Sequence, residues 1–133
     1  QKLEKLIKSL NLEGSVILMG HKDNVFPYLK RSDIFVLSSL YEGMPNALIE
    51  AVALKIPSIS TNIKTGPKEI LLNGEGGRLV EVNNIDDLRK ARVFRLLEQE
   101  VAQKAAENSF SQLDRFSMNG MILRYKNIIE GFK

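Results

Sequence analysis

The sequence has no cysteine and no tryptophan, one histidine and four prolines. Without cysteine, disulfides and thiolate metal sites are excluded. No apolar run approaches the roughly 20 residues needed to span a bilayer as a helix. The opening residues, Gln1-Lys2-Leu3-Glu4-Lys5, are charged and lack the apolar core of a signal peptide, so nothing marks export. With the absence of cysteine, this fits a cytoplasmic location. A strong charge of either sign is also missing. The net charge of +3 is too slight to demand nucleic acid as a partner. It would suit an anionic ligand or a peripheral contact with an acidic membrane surface, and a solvated surface excess explains it as well. There is no internal repeat, low-complexity tract or linker. What remains is 133 residues, 44% hydrophobic and 26% charged, the composition of one ordinary globular domain.

Apolar periodicity divides the chain into alternating elements. Leu3, Leu6, Ile7 and Leu10 predict an amphipathic helix over 2–10, and the run Ser15 to Met19 predicts a buried strand closed by Gly20. A short helix over Val25 to Arg31, with Pro27 in its first turn, leads to a strand over Asp33 to Leu37. A helix from Pro45, placed at the first helical position, to Leu54 precedes a strand over Pro57 to Ser60. Then follow a short helix over Pro67 to Leu72 and a fourth strand over Gly77 to Val82. One long helix over Ile85 to Glu107 and another over Ser117 to Ile129 complete the pattern, with a break around Ser109–Ser111. Such alternation predicts an α/β fold, a parallel sheet of four strands covered by helices on both faces, with right-handed crossovers. Folds of this kind normally open on a strand. This chain opens on a helix, so the expectation is that its opening strand is missing.

In open parallel sheets, ligands bind beyond the carboxyl ends of the strands, where loops enter helix N-termini. The loop after the second predicted strand reads Ser38-Ser39-Leu40-Tyr41-Glu42-Gly43-Met44 and runs into Pro45-Asn46-Ala47-Leu48-Ile49-Glu50. Gly43 would let the backbone turn sharply and approach a ligand. The first amides of the next helix lack internal partners and face the positive end of its dipole, which favours anions. Pro45 withdraws one donor, leaving Met44, Asn46 and Ala47. Glu50 follows Asn46 by four residues and Ala47 by three, so its side chain points back along the face of those amides. Leu48, Ile49, Val52 and Ala53 remain to pack the other side. A carboxylate accepting two parallel hydrogen bonds suits a vicinal diol such as that of a ribose. Loop, carboxylates and amides together describe a nucleotide-sugar site. Each part also has a plain reading: an acid near a helix N-terminus is often only a dipole partner, and Glu42 could be a solvated loop residue.

The segment Ser39 to Ala51 resembles the E-x7-E signature of the retaining GT-B glycosyltransferases grouped as family 4, its two glutamates being Glu42 and Glu50. Val16-Ile17-Leu18-Met19-Gly20 resembles the family's strand ending in Leu-Gly, and Tyr28-Leu29 with Ser32 to Leu37 resembles its next strand and helix. Pro57 to Thr61, Gly66 to Leu71 and Gly74 to Val80 continue the usual order, so the likeness covers about residues 1–100. It implies a three-layer Rossmann-like donor domain over residues 1–133, truncated at its N-terminus, with the acceptor domain absent. It implies that Glu42 is catalytic, beside the donor sugar, and that Glu50 holds the ribose hydroxyls. Gly43, Met44, Pro45, Asn46 and Ala47 would contact sugar and diphosphate, and Gly20 and His21 would approach the base. The donor would be a UDP- or GDP-sugar, with no metal and no other cofactor. The acceptor would be a glycan, a polysaccharide or a lipid-linked saccharide reached at the inner face of the membrane.

Some residues depart from this pattern. Ser38 stands where the family usually has proline, and Lys55 where glycine often ends the helix, so the turn into Pro57 is expected to be strained. The basic pair that neutralises the diphosphate would lie before residue 1, and the chain alone is therefore expected not to transfer sugar. His21 has no evident orienting partner for general-base work. Glu69, three residues after Gly66, reads as a helix cap. Phe110, Phe116 and Tyr125 read as packing residues. Glu42 and Glu50 could suggest a glycosidase, but such pairs flank an open cleft and need no phosphate cradle. A nucleotide-sugar epimerase shares the architecture, and a non-catalytic nucleotide-binding module is the other alternative. A phosphoacceptor receiver would need an aspartate at a strand's carboxyl end; the ends here are Met19, Leu37 to Ser39, Ser60 and Val82.

Overall fold

The computed structural model describes residues 2–131, with residues 93–97 described by their backbone alone. The elements are α1 (Lys2–Ser9), α2 (Phe26–Leu29), β1 (Phe35–Leu37), α3 (Asn46–Ala53), β2 (Ser58–Thr61), α4 (Pro67–Ile70), β3 (Arg78–Val80), α5 (Ile85–Leu97), α6 (Gln99–Ser111) and α7 (Met118–Gly131). Turns of 3₁₀ helix at Leu72–Gly74 and Leu113–Phe116 link α4 to β3 and α6 to α7. The three strands run parallel in the order β1-β2-β3, with Phe35 opposite Ser58 and Ile59 opposite Arg78.

Strand alternation sends side chains to opposite faces, and each face meets helices. On one face Phe35, Leu37 and Leu79 pack with Leu48 and Val52 of α3, Ile70 of α4, Leu71 and Phe116. On the other, Ile59 and Val80 pack with Ala91 and Leu88 of α5. The three-layer parallel α/β architecture is therefore as expected. Ser58 and Ser60 are small and buried on the α3 side of β2, where that helix crosses the sheet. In α3 the buried positions are Leu48, Ala51 and Val52, so Ala51 takes the packing role expected of Ala53.

The expected strand over Ser15 to Met19 does not form. Residues 16–20 carry no ladder, and Ile17 is 78% exposed. A strand is a relation between neighbours, because its amides and carbonyls need a paired backbone. Among the described residues β1 pairs only with β2, and no strand lies beside Val16 to Met19. The expected long helix over Ile85 to Glu107 is instead two, broken at Glu98 (φ −122°, ψ 57°). The break lets α6 return over α3, where Ser109 Oγ donates to the Gly76 carbonyl at 2.7 Å in the buried interior. Ser109–Ser111, read as a break, is thus the last turn of α6, with Gln112 as its cap residue.

The end of α3 is built as foreseen. Lys55 adopts the left-handed conformation (φ 55°), its amide bonds the Val52 carbonyl at 2.9 Å, and the Ile56 amide bonds that of Ala51 at 3.0 Å. This pattern normally recruits glycine. Lys55 Nζ lies 4.5 Å above the Phe110 ring, a cation–π contact that offsets part of the strain. Phe116 packs into the core, whereas Phe110 and Tyr125 are exposed rather than buried.

Candidate functional site

At the carboxyl ends of β1 and β2, two loops are joined by their own side chains. Thr61, the last residue of β2, donates its hydroxyl to the Ser39 carbonyl of the loop after β1. Thr65 Oγ1, in the loop after β2, donates to the Glu42 carbonyl at 2.8 Å. Gly66 closes the contact. It holds φ 84° and ψ −79°, a conformation reserved in practice for glycine, and lies directly against the Gly43 carbonyl. A Cβ there would overlap that oxygen and stand 2.7 Å from Pro45 Cδ.

The loop after β1 then enters α3. Pro45 is the cap residue (ψ 101°), one position earlier than expected, and its carbonyl accepts from the Leu48 and Ile49 amides. Among the described residues, the amides of Gly43, Met44, Asn46 and Ala47 find no acceptor. The backbone bends at Gly43 and Met44, as expected, without a positive φ at Gly43. Its lack of a side chain leaves open surface, with nothing within 4 Å of where a Cβ would stand. The left-handed duty belongs to Gly66.

Glu42 is half-buried, and Ser39 Oγ donates to its Oε1 at 2.7 Å. Glu50, also half-buried, stands one helical turn into α3, and no described residue engages its carboxylate. Neither glutamate is in a salt bridge among the described residues. The Glu50 carboxylate and Glu42 Oε2 thus remain available beside four unpaired donors, on a unit held by two threonines and a glycine. That arrangement can hold an anionic group at the amides and a hydroxylated one at the carboxylates.

Glu42, Gly43, Met44, Pro45, Asn46, Ala47 and Glu50 therefore form one loop–helix unit. Gly20 and His21 do not join it by any hydrogen bond or ion pair among the described residues. Gly20 has φ 64°, and His21 Nε2 lies 3.3 Å from Asp23 Oδ1, an orienting partner unforeseen from the sequence, with both side chains exposed to solvent. Glu69 does not cap α4, whose cap residue is Gly66 without a side-chain bond. Its carbonyl instead accepts from Arg115 Nη2, which also reaches the Ile70 carbonyl at 3.5 Å. Burial lowers the Arg115 pKa, the neighbouring Glu69 opposes that shift and Arg124 adds to it; the guanidinium anchors the end of α4 to the turn before α7. Sequence reasoning missed Ser39, Thr61 and Thr65; their signal was hydroxyls at the ends of neighbouring strands. A cavity of about 320 Å³ lies elsewhere, at the amino ends of the strands, lined by Ile34, Ser58, Arg78, Val101 and Lys104. It is remote from the loop–helix unit.

The family described as glycosyl transferases group 1 matches residues 1–112. A glycosyltransferase of Methanocaldococcus jannaschii is 56% identical over 70 residues, 53% of this chain and 17% of the relative. The N-acetylgalactosamine-N,N'-diacetylbacillosaminyl-diphospho-undecaprenol 4-alpha-N-acetylgalactosaminyltransferase of Campylobacter jejuni is 36% identical over 103 residues, 77% of this chain and 28% of that protein. TarM of S. aureus, solved with fondaparinux, alpha-GlcNAc-glycerol and UDP, superposes with a TM-score of 0.85 at 26% identity, covering 95% of this chain and 26% of TarM. The chain thus spans less than a third of the length of each of these proteins. Its fold is that of the Rossmann-like C-terminal domain of GT-B glycosyltransferases, and the chain belongs to the group 1 glycosyl transferase family.

Proposed function

We propose that the chain is the donor-binding domain of a retaining glycosyltransferase that moves a sugar from a nucleoside-diphosphate sugar to a glycan, polysaccharide or lipid-linked acceptor. The observation that carries this reading is the pairing of two carboxylates, Glu50 without a partner and Glu42 bonded only by Ser39 among the described residues, with four unpaired amides on one anchored loop–helix unit. The amides of Gly43, Met44, Asn46 and Ala47 take the diphosphate, aided by the positive end of α3. Glu50 accepts from the ribose hydroxyls, and Glu42 faces the sugar. As the bond between the anomeric carbon and the diphosphate oxygen breaks, positive character grows on the sugar and negative charge on the leaving group. Glu42 answers the first and the amides answer the second. No metal is needed for that division of charge. Gly20 and His21 approach the base, and the acceptor is bound by another part of a longer protein.

The UDP held by TarM supports a UDP-sugar donor, with a GDP-sugar as the other candidate. The diphospho-undecaprenol in the Campylobacter relative's name supports a lipid-linked acceptor, which would be met at the cytoplasmic face of a membrane. No described helix is long and apolar enough to cross one; a peripheral contact is the one the slight positive charge would suit.

Glu50→Ala tests the ribose assignment. Losing charge-assisted hydrogen bonds costs about 1.5–3 kcal/mol, so donor affinity should fall roughly 10- to 100-fold. Glu50→Gln keeps an acceptor of similar shape and should lose less. Calorimetric titration of nucleoside diphosphate into each variant measures this. Equal affinity in wild type and Glu50→Ala would remove Glu50 from the site.

A further inference from the structure

We propose that Ser39 is a positioning residue for the Glu42 carboxylate. This rests on the reading that Glu42 faces the donor sugar. Ser39 lies two residues beyond the end of β1, and its own carbonyl is held by the hydroxyl of Thr61 on the buried end of β2. It is therefore fixed to the sheet. From that base its Oγ donates to Glu42 Oε1 at 2.7 Å, the length of a charge-assisted hydroxyl–carboxylate bond.

A hydroxyl has one proton to give, and a carboxylate has two oxygens. With Oε1 engaged by Ser39, the glutamate side chain is confined in rotation and Oε2 is left for a ligand. No described residue competes for that second oxygen. The plain alternative is that the bond merely stabilises the loop. The backbone argues against this, because its position is already secured without the side-chain pair. Thr61 holds the carbonyl of Ser39, Thr65 Oγ1 holds that of Glu42 at 2.8 Å, and Gly66 packs on Gly43. The Ser39–Glu42 bond adds orientation to a loop that is already placed.

The test uses the full-length enzyme and follows nucleoside diphosphate release from UDP-glucose, UDP-N-acetylglucosamine, UDP-galactose and GDP-mannose, taking the donor turned over fastest. Ser39→Ala leaves the Thr61 tie to the backbone intact. It should lower kcat about 10- to 100-fold, the scale of a misplaced reacting group, with donor KM within about threefold of wild type and an unchanged unfolding temperature. Ser39→Thr restores the hydroxyl and should recover most of kcat. Added to Glu42→Ala, Ser39→Ala should have almost no further effect, since its partner is gone. Full kcat in Ser39→Ala beside a loss in Glu42→Ala overturns the positioning role alone. So does an equal kcat loss on adding Ser39→Ala to Glu42→Ala, or a fall in unfolding temperature that accounts for the lost activity. Full kcat in Glu42→Ala overturns the site reading, and the positioning role with it.

Discussion

Replacing Glu42 with alanine is expected to lower kcat of the full-length enzyme by roughly 10²–10³-fold, the cost of removing one preorganised group from a developing charge. The reason lies in when the contact matters. Before reaction the donor sugar is neutral, and a carboxylate beside it adds little binding. During bond breaking the sugar gains positive character, and the same carboxylate becomes strongly favourable. An interaction made mainly in the transition state shows in kcat rather than in KM. Glu42 is suited to this because its side chain is half-buried and already tied through Oε1, so it needs no reorganisation. Glu42→Gln should recover little, since an amide keeps the shape without the charge. Single-turnover kinetics with saturating donor separate the chemical step from binding. A Glu42→Ala enzyme with wild-type turnover would place the acting group elsewhere.

Gly66→Ala should be the most damaging substitution outside the carboxylates. Two costs add at one position. A side chain at φ 84°, ψ −79° carries backbone strain of about 1–3 kcal/mol. Its Cβ would also overlap the Gly43 carbonyl and crowd Pro45 Cδ at 2.7 Å, and neither backbone nor ring can step aside. The loops after β1 and β2 must then part, carrying the amides of Gly43 and Met44 away from the ligand. Donor affinity should fall, and turnover should drop about 100-fold, because misplacement of the order of 1 Å costs that much in rate. The unfolding temperature should drop as well. Gly43→Ala gives the contrast, since nothing lies within 4 Å of its Cβ position. That variant should fold normally and lose donor affinity only through the ligand's own need for space. Equal affinity in Gly66→Ala and wild type would mean that the loop contact is irrelevant to the site.

Much of this was legible because the determining forces are local. The apolar runs at Phe35–Leu37 and Ser58–Thr61 fall on strands, and Leu48 and Val52 place α3 on the core, with Ala51 in the role the pattern gave to Ala53. Glu42 and Glu50 were found from their order around a helix start. Lys55 showed its strain by standing where glycine is expected. Other features depend on partners that local sequence does not name. Val16 to Met19 has the composition of a strand, but a ladder needs a neighbour. The break at Glu98 has no proline or glycine to announce it, and follows from the return of α6 to Gly76. The hydroxyls of Ser39, Thr61 and Thr65 read from sequence as ordinary loop and strand-end polarity. Only the approach of two loops turns them into a scaffold. For the same reason the bend at Gly43 was legible in the motif, while the positive φ of Gly66, which packs upon it, was not.

The central claim is that the loop–helix unit from Gly43 to Glu50 receives a nucleoside diphosphate. Titration of the ¹⁵N-labelled chain with uridine and guanosine diphosphates, followed by amide NMR, tests it most directly. Weak binding is expected, with the largest shifts at Gly43, Met44, Asn46, Ala47 and Glu50, and reduced shifts in Glu50→Ala. Shifts confined to the cavity at the amino ends of the strands, around Ser58, Arg78 and Lys104, would contradict it.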